Sequence, residues 1–132
     1  MKYLLSLLSV LIFLSLVKTS YSQHDDSWTF ICTSSLGENF YLDSLSIELS
    51  GVYLDYWDKA TNAEDENRDF RMSKHRIYYN TKEYLTLQSF YISDIEGISG
   101  ENFPYGDNKK AIVPGSVMET FYNYLYEKFS NQ

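Results

Sequence analysis

The sequence predicts an α+β domain: a single antiparallel β-sheet of about six strands with a C-terminal amphipathic helix packed on one face. Stretches in which apolar and polar residues alternate fill much of the chain between positions 28 and 94, and a period of two is the pattern of a half-buried strand. A helical pattern closes the chain, and the sheet is the only large apolar surface on which it can pack. The length of 132 residues allows one such domain.

The start of the chain has the three parts of a secretory signal. A positive start precedes the apolar run 3–17, and the small residues Ser20 and Ser22 suit a cleavage site. We expect residues 1–22 to be a signal peptide and residues 23–132 to be the mature domain, exported to the periplasm, the cell surface or the medium. The run is shorter than the roughly 20 residues that a membrane span needs, so we expect no span after cleavage.

The composition is acidic, with 11 Lys and Arg against 18 Asp and Glu and a formal net charge of −7. Lys2 and Lys18 lie in the predicted signal peptide, where there is no acid, so the mature domain has 9 basic against 18 acidic residues and a net charge of −9. A surface of that sign repels nucleic-acid phosphates and anionic lipids. We therefore expect a protein or other macromolecule as the partner, and no nucleic acid.

Turn residues separate the predicted strands in the first half of the domain. Residues 28–34 alternate, and after a turn at Ser35-Leu36-Gly37 residues 38–43 return as a second strand. Residues 45–49 alternate as a half-buried strand, and residues 52–57 form another. On this last strand one face holds Val52, Leu54 and Tyr56, and the other holds Tyr53, Asp55 and Trp57.

The polar segment 59–69 contains Glu64-Asp65-Glu66 and shows no apolar period. We interpret it as a solvated loop or a short surface helix. Clustered carboxylates also suit calcium, but the spacing and the glycine of an EF-hand loop are missing.

The second half begins with a predicted hairpin, residues 76–80 and 83–94 around the turn 80–82. Apolar residues change parity along its second strand, which indicates a bulge near Gln88-Ser89 or burial of both faces. Residues 95–110 are interpreted as a loop with one short edge strand near Tyr105.

The terminal segment predicts a helix of about four turns. Ser116 can cap its first backbone N–H groups, and Glu119 follows three residues later, as in a capping box. The apolar stripe consists of Val117, Met118, Phe121, Tyr122, Leu125 and Phe129.

No motif in the sequence assigns a catalytic, cofactor-binding or metal-binding residue, so we expect a protein without enzymatic activity and without a cofactor. His24 and His75 lack a partner at ligand spacing, and an enzyme would need polar residues converging in a pocket, for example around His75. Cys32, the single cysteine, fits a small buried hydrophobe better than a reactive thiol or a bridge between chains.

Aromatic residues are more numerous than one sheet and one helix can bury. Tyrosine and tryptophan anchor many protein interfaces. We therefore take Tyr53, Trp57 and Tyr105 as candidate protein-contact residues.

The order of the pieces resembles the bacterial surface-adhesin protein E family. The resemblance lies in Trp28, Tyr41-Leu42-Asp43, Ser46-Ile47, the strand ending at Trp57, the long strand 83–92, and Ile112-Val113-Pro114-Gly115-Ser116 before the helix. It implies a small sheet with the helix held against it and, for the adhesins of the family, display on the outer membrane and binding to host extracellular-matrix proteins.

Two departures from the family pattern bear on that expectation. Members often join the helix to the sheet by a disulfide, whereas here Ser93 stands near the expected first position and the chain end has no cysteine. The lipid-attachment cysteine of the adhesin is also missing. The resemblance thus implies an exported, adhesin-like binding domain without a lipid anchor. A periplasmic protein that binds a small ligand between sheet and helix is the alternative.

Overall fold

The structure is a computed structural model that describes residues 27–130, with only the backbone described for Asn67. The predicted signal peptide, residues 1–22, lies outside the described residues, and so does His24. Within the described part of the chain, no helix is both long and apolar enough to cross a membrane.

Antiparallel strands and one helix make up the described chain, which fits the α+β class. The elements are β1 (Trp28–Thr33), β2 (Glu38–Asp43), β3 (Glu48–Leu49), β4 (Tyr53–Asn62), β5 (Asp65–Tyr78), β6 (Glu83–Ser93), β7 (Gly97–Asn102), β8 (Lys110–Ala111) and α1 (Val117–Phe129). The strands form one sheet in the order β1-β2-β4-β5-β6-β7, with β3 added to β4 and β8 added to β6. The described residues therefore form eight strands rather than about six, because β3 and β8 are short additions of two residues each.

The interpretation of 59–69 as a loop or helix is wrong. These residues continue β4 and begin β5, and the turn between the two strands is only Ala63-Glu64. The backbone pairs from Lys59 opposite Met72 to Asn62 opposite Asp65. Ala60 and Thr61 are buried, but from Asn62 to Arg68 the described side chains are exposed, so this end of the hairpin needs no apolar face and its sequence shows no period.

Two other expectations along the chain are corrected. In the segment 45–49 only Glu48 and Leu49 form a strand, and both side chains are exposed. In the segment 95–110 the edge strand is β7, not one near Tyr105, which lies in the loop between β7 and β8. Every side chain of β7 is exposed, so the strand has no alternation to reveal it.

The predicted bulge is confirmed close to its expected place. His75 pairs with Thr86 while Lys74 pairs with Gln88, so Leu87 is the extra residue of β6. The bulge reverses which face each later side chain of β6 occupies, which explains the change of parity.

The helix packs on one face of the sheet and is confirmed with its cap. Ser116 Oγ accepts the Glu119 N–H at 3.2 Å, and a Glu119 carboxylate oxygen accepts the Gly115 N–H at 2.7 Å. The core between helix and sheet consists of Phe40, Leu42, Leu54, Tyr56, Ala60, Ile77, Phe121, Tyr122 and Leu125. The same face of β4 holds Leu54 and Tyr56, as predicted, but Val52 lies before the strand and is exposed.

Cys32 is a free, partly buried cysteine packed against this core. Burial raises the pKa of its thiol, an effect larger than that of a hydrogen bond with Thr120. A thiol that ionises less readily is a poor nucleophile, which agrees with a packing role. Ser93 ends β6 and accepts hydrogen bonds from the N–H groups of Ile95 and Glu96, so it caps a turn.

Candidate functional site

Two surfaces of the sheet remain accessible to a partner. The first is the face without the helix, called here the open face and defined by Tyr41, Tyr53, Trp57, Arg76, Tyr78 and Phe90. Strand alternation and the register place these residues opposite the core side chains. The second is a cleft on the helix-bearing face, beside the N-terminal end of α1.

The structure brings Tyr53 and Trp57 onto the open face of β4 and keeps Tyr105 apart from them. Trp57 is partly buried and stacks on Phe90, with ring centroids 6.1 Å apart and planes 20° apart. Tyr53 meets Tyr78 edge to face at 6.0 Å. Tyr105 is 97% exposed on its loop. The two strand aromatics are thus fixed by neighbours, whereas Tyr105 projects into solvent.

Basic side chains lie among these rings. The Arg76 guanidinium lies 3.7 Å from the Tyr53 ring centroid and donates two hydrogen bonds of 2.7 Å to the Asp55 carboxylate. The paired carboxylate is the main cause that raises the pKa of Arg76, so its charge is permanent. Lys59 Nζ lies 5.2 Å from the Tyr41 ring centroid. The open face therefore combines aromatic area with positive charge in an acidic chain.

The cleft has a volume of about 640 Å³ and lies where the helix no longer covers the sheet. Its floor comes from β4, β5, β6 and β7, and its walls come from Val117 and Met118 of α1 and from Phe103 and Asp107 of the loop after β7. Sequence reasoning left open a ligand site between sheet and helix, and the structure has a cavity there.

Polar residues form a row across the floor of the cleft. Asp58 of β4, Ser73 of β5, Ser89 of β6 and Glu101 of β7 are successive register partners. Asp58 and Ser73 are each only 3% exposed. The hydroxyls of Ser73 and Ser89 lie 3.1 Å apart. A half-covered sheet face normally holds apolar residues, so a polar row with two buried members is unusual.

A second row contains His75 and its partners. His75 Nε2 lies 3.1 Å from an oxygen of Asp58, and Nδ1 lies 3.3 Å from Thr86 Oγ1. Both ring nitrogens of His75 thus face a hydrogen-bonding partner. The side chain of Asp58 is 5% exposed and that of His75 is 12% exposed, so this network is largely shielded from water.

Asp107 connects the wall of the cleft to its floor. One carboxylate oxygen accepts the Thr86 N–H at 2.6 Å, and the other accepts from Lys110 Nζ at 2.5 Å. Burial would raise the pKa of Asp107, but the hydrogen bonds from Lys110 and Thr86 outweigh burial and lower it. The Asp107 N–H also donates to the Thr86 carbonyl at 2.9 Å. The loop is thereby fastened along the bulged part of β6.

Chemically, the cleft can exchange hydrogen bonds with a polar ligand and hold apolar atoms against its walls. Asp58, His75 and Thr86 are the residue types of a nucleophilic triad. Within residues 27–130 no three His, Cys, Asp or Glu side chains are grouped to hold a metal ion.

Sequence reasoning left open a site between sheet and helix but missed Asp58 as one of its residues, although a signal for Asp58 was present. Alternation along β4 from the inward Leu54 and Tyr56 continues to Asp58, so an acid at an inward position could have been noticed. The partners of Asp58 could not, because the bulge at Leu87 sets which residues of β6 face inward.

Residues 27–130 form an antiparallel sheet bearing one C-terminal helix, and a solved structure shares this fold. This is the structure of Haemophilus influenzae protein E, which is 8% identical and has a TM-score of 0.55 over 78% of this chain and 87% of that one. At that identity the likeness is one of fold alone. No family model and no curated protein sequence matches the chain.

Proposed function

We propose that this chain is an exported, non-enzymatic binding domain that recognises a protein through the open face of its sheet. The observation that carries the proposal is the fixed aromatic and basic surface around Trp57 and Tyr53. The signal-like start of the sequence and the resemblance to the surface-adhesin protein E family support the location and the class, and the shared fold is consistent with both.

The open face has the properties of a prepared interface. Trp57 and Tyr53 are each held by a second ring, so little side-chain freedom is lost when a partner covers them. Tyrosine, tryptophan and arginine are the residues that most often dominate binding energy. Lys59, which lies over the Tyr41 ring, favours a partner surface with acidic groups, whereas Lys74 and Arg76 are already paired with Glu48 and Asp55.

Relationship to the adhesins also forms part of the proposal. The chain would be a relative that lacks both the lipid anchor and the disulfide that joins helix to sheet in many members.

Cell fractionation tests the export step: cells that express the full sequence should contain a product shortened by residues 1–22 outside the cytoplasm. A product of full length in the cytoplasm would contradict it.

Binding is tested with the purified product and immobilised extracellular-matrix proteins. Trp57→Ala and Tyr53→Ala should each weaken binding by about tenfold or more, the effect of a residue central to an interface. Leu36→Ala is the matched control, because Leu36 is an exposed apolar residue in the β1–β2 turn, away from the open face. Tyr105→Ala shows whether the loop contributes. The adhesin proposal fails if no matrix protein binds, or if the open-face variants bind as the control does.

The second candidate function is binding of a small ligand in the cleft between sheet and helix. The specific observation in its favour is the volume of about 640 Å³ over a polar floor that includes the buried Asp58 and Ser73. Small-molecule sites commonly occupy about 300–1,000 Å³. The two functions use opposite faces of the sheet and do not exclude each other.

A further inference from the structure

We propose that the cleft binds a small uncharged saccharide of one or two sugar rings. The inference rests on the second proposed function, that the cleft is a ligand site, and it names the class of ligand.

The first argument is the mixture of hydrogen-bonding groups on the floor. The carboxylates of Asp58 and Glu101 only accept, the Arg71 guanidinium only donates, and the serine hydroxyls of the central row do both. A sugar hydroxyl also donates and accepts, so a polyhydroxylated ligand can use every one of these groups. A phosphate could use only the donors, and an ammonium group only the acceptors.

The second argument is the balance of charge around the cleft. Three carboxylates line it, and each shares the lining with a nitrogen base: Asp58 with the imidazole of His75, Asp107 with the ammonium group of Lys110, and Glu101 with the guanidinium of Arg71. The first two of these pairs are in direct contact. Lys110 and Arg71 balance two of the carboxylates, and the third, Asp58, is only 3% exposed, so the cleft offers an ion a weak field and suits a neutral polar ligand.

The third argument is the apolar wall. Phe103 and Phe40 line the cleft together with Val117 and Met118. A sugar ring is amphipathic, with hydroxyls at its rim and C–H groups on its faces, so its faces can pack on aromatic and aliphatic side chains. Polar groups below and apolar groups at the sides match that shape.

The fourth argument is that the floor is rigid before any ligand arrives. Asp58 and Ser73 are almost fully buried, and each has a hydrogen-bonding partner within the cleft. The loop that carries Phe103 is fixed to β6 because the Phe103 N–H donates to the Leu87 carbonyl at 2.8 Å. A prepared site loses little conformational freedom on binding.

The test uses the folded protein obtained by expressing the full sequence with ¹⁵N labelling. Each probe is titrated into this protein, and the backbone amide chemical shifts are followed by NMR. The saccharide probes are glucose, N-acetylglucosamine, maltose, cellobiose and diacetylchitobiose, and the ionic probes are inorganic phosphate and putrescine. We expect at least one saccharide to give saturable shifts at Thr86, Ser89 and Phe103, and neither ionic probe to do so.

Variants then separate the cleft from the open face. Ser89→Ala and Phe103→Ala should each weaken saccharide binding by roughly tenfold, through a lost hydrogen bond and a lost packing surface. Trp57→Ala should leave saccharide affinity unchanged, because Trp57 lies on the other face of the sheet. If Phe103→Ala does not fold, Ser89→Ala and the shift map of the unaltered protein still decide.

The possible failures are distinguishable. Saturable binding of phosphate or putrescine at the cleft, with no saccharide bound, overturns the saccharide class and retains the cleft as a ligand site. No saturable shift at the cleft with any probe overturns both. Unchanged saccharide affinity in Ser89→Ala and Phe103→Ala overturns the assignment to the cleft. Protein binding by the open face is judged separately, through Trp57→Ala.

Discussion

The ring of Phe121 stacks on the ring of Tyr56 with centroids 5.3 Å apart and planes 24° apart, and this contact joins the helix to the sheet. Both side chains have no exposed surface. The Tyr56 hydroxyl points on to Met118 Sδ at 3.3 Å, and burial raises its pKa well above that of an ordinary tyrosine, so it stays protonated. The helix is therefore held by aromatic packing in a chain whose single cysteine cannot form a disulfide within it.

Phe121→Ala should lower the free energy of unfolding by about 3–5 kcal/mol, because it removes a fully buried ring and leaves a cavity. Urea unfolding measures the change. Asn123→Ala is the control, since Asn123 is exposed on the same helix and should change stability by less than about 0.5 kcal/mol. A similar small change for both variants would show that the helix is not integral to the fold.

Gly106→Ala should be more destabilising than Gly37→Ala. Both glycines have positive φ, +77° and +79°, so an alanine is strained by about 1–2 kcal/mol at either place. At Gly106 a Cβ would also lie 2.5 Å from Cδ1 of Leu85, which is only 6% exposed, whereas nothing lies within 4 Å at Gly37. The extra crowding should add about 1–3 kcal/mol, measured by urea unfolding. Equal losses would mean that the loop does not press on β6.

Tyr79→Phe should leave stability at neutral pH unchanged or raise it by about 1 kcal/mol. The Tyr79 hydroxyl is buried and has no hydrogen-bond partner among the described residues. On folding it therefore loses its hydrogen bonds to water without replacing them, and a phenylalanine avoids that free-energy cost. Thermal unfolding of the variant measures this. A loss of stability would indicate that the hydroxyl has a partner in solution.

The same variant should reduce the alkaline sensitivity of the fold. Burial, with a smaller effect of Tyr122, raises the pKa of Tyr79 to about 12. An unfolded tyrosine releases its proton near pH 10, so the unfolded state binds fewer protons and stability is lost as the pH rises from about 10 towards the folded-state pKa. Tyr79→Phe removes that contribution, and unfolding followed over this range should show a shallower fall. Tyr105→Phe, at an exposed position, should fall as steeply as the unaltered protein.

The fold follows from local patterns wherever one face of an element is buried. Leu54 and Tyr56 revealed the inward face of β4, and the stripe through Phe121 and Leu125 revealed the helix. Those patterns disappear where both faces meet solvent. The end of the β4–β5 hairpin and all of β7 are held by backbone pairing, which leaves no mark on composition.

The candidate surfaces were predictable to different degrees. Alternation alone placed Tyr53 and Trp57 on one face, and the structure adds the partners that fix them, Tyr78 and Phe90. The cleft depends on contacts between distant strands and on the bulge at Leu87, and no local pattern reports those. Nothing in the sequence indicated that polar residues converge around His75, because its partner Asp58 is brought to it only by the register of β4 and β5.

Asp107→Asn should lower stability at neutral pH by roughly 1 kcal/mol, because the amide cannot compensate the charge of Lys110. The folded-state pKa of Asp107 is lowered, so its contribution is present above the ordinary pKa of about 3.9 and is lost as the pH falls through the folded-state value.

The difference between Asp107→Asn and the unaltered protein should therefore be constant from about pH 7 to about pH 5 and shrink in more acidic solution, as urea unfolding at each pH would measure. Asp94→Asn, at an exposed position in the β6–β7 turn, is the control and should show no such difference. A difference that persists at the lowest pH at which the protein is folded would mean that the Lys110 contact does not stabilise the loop. The wall of the cleft would then depend on the backbone hydrogen bond between Asp107 and Thr86 and on the packing of Gly106 against Leu85.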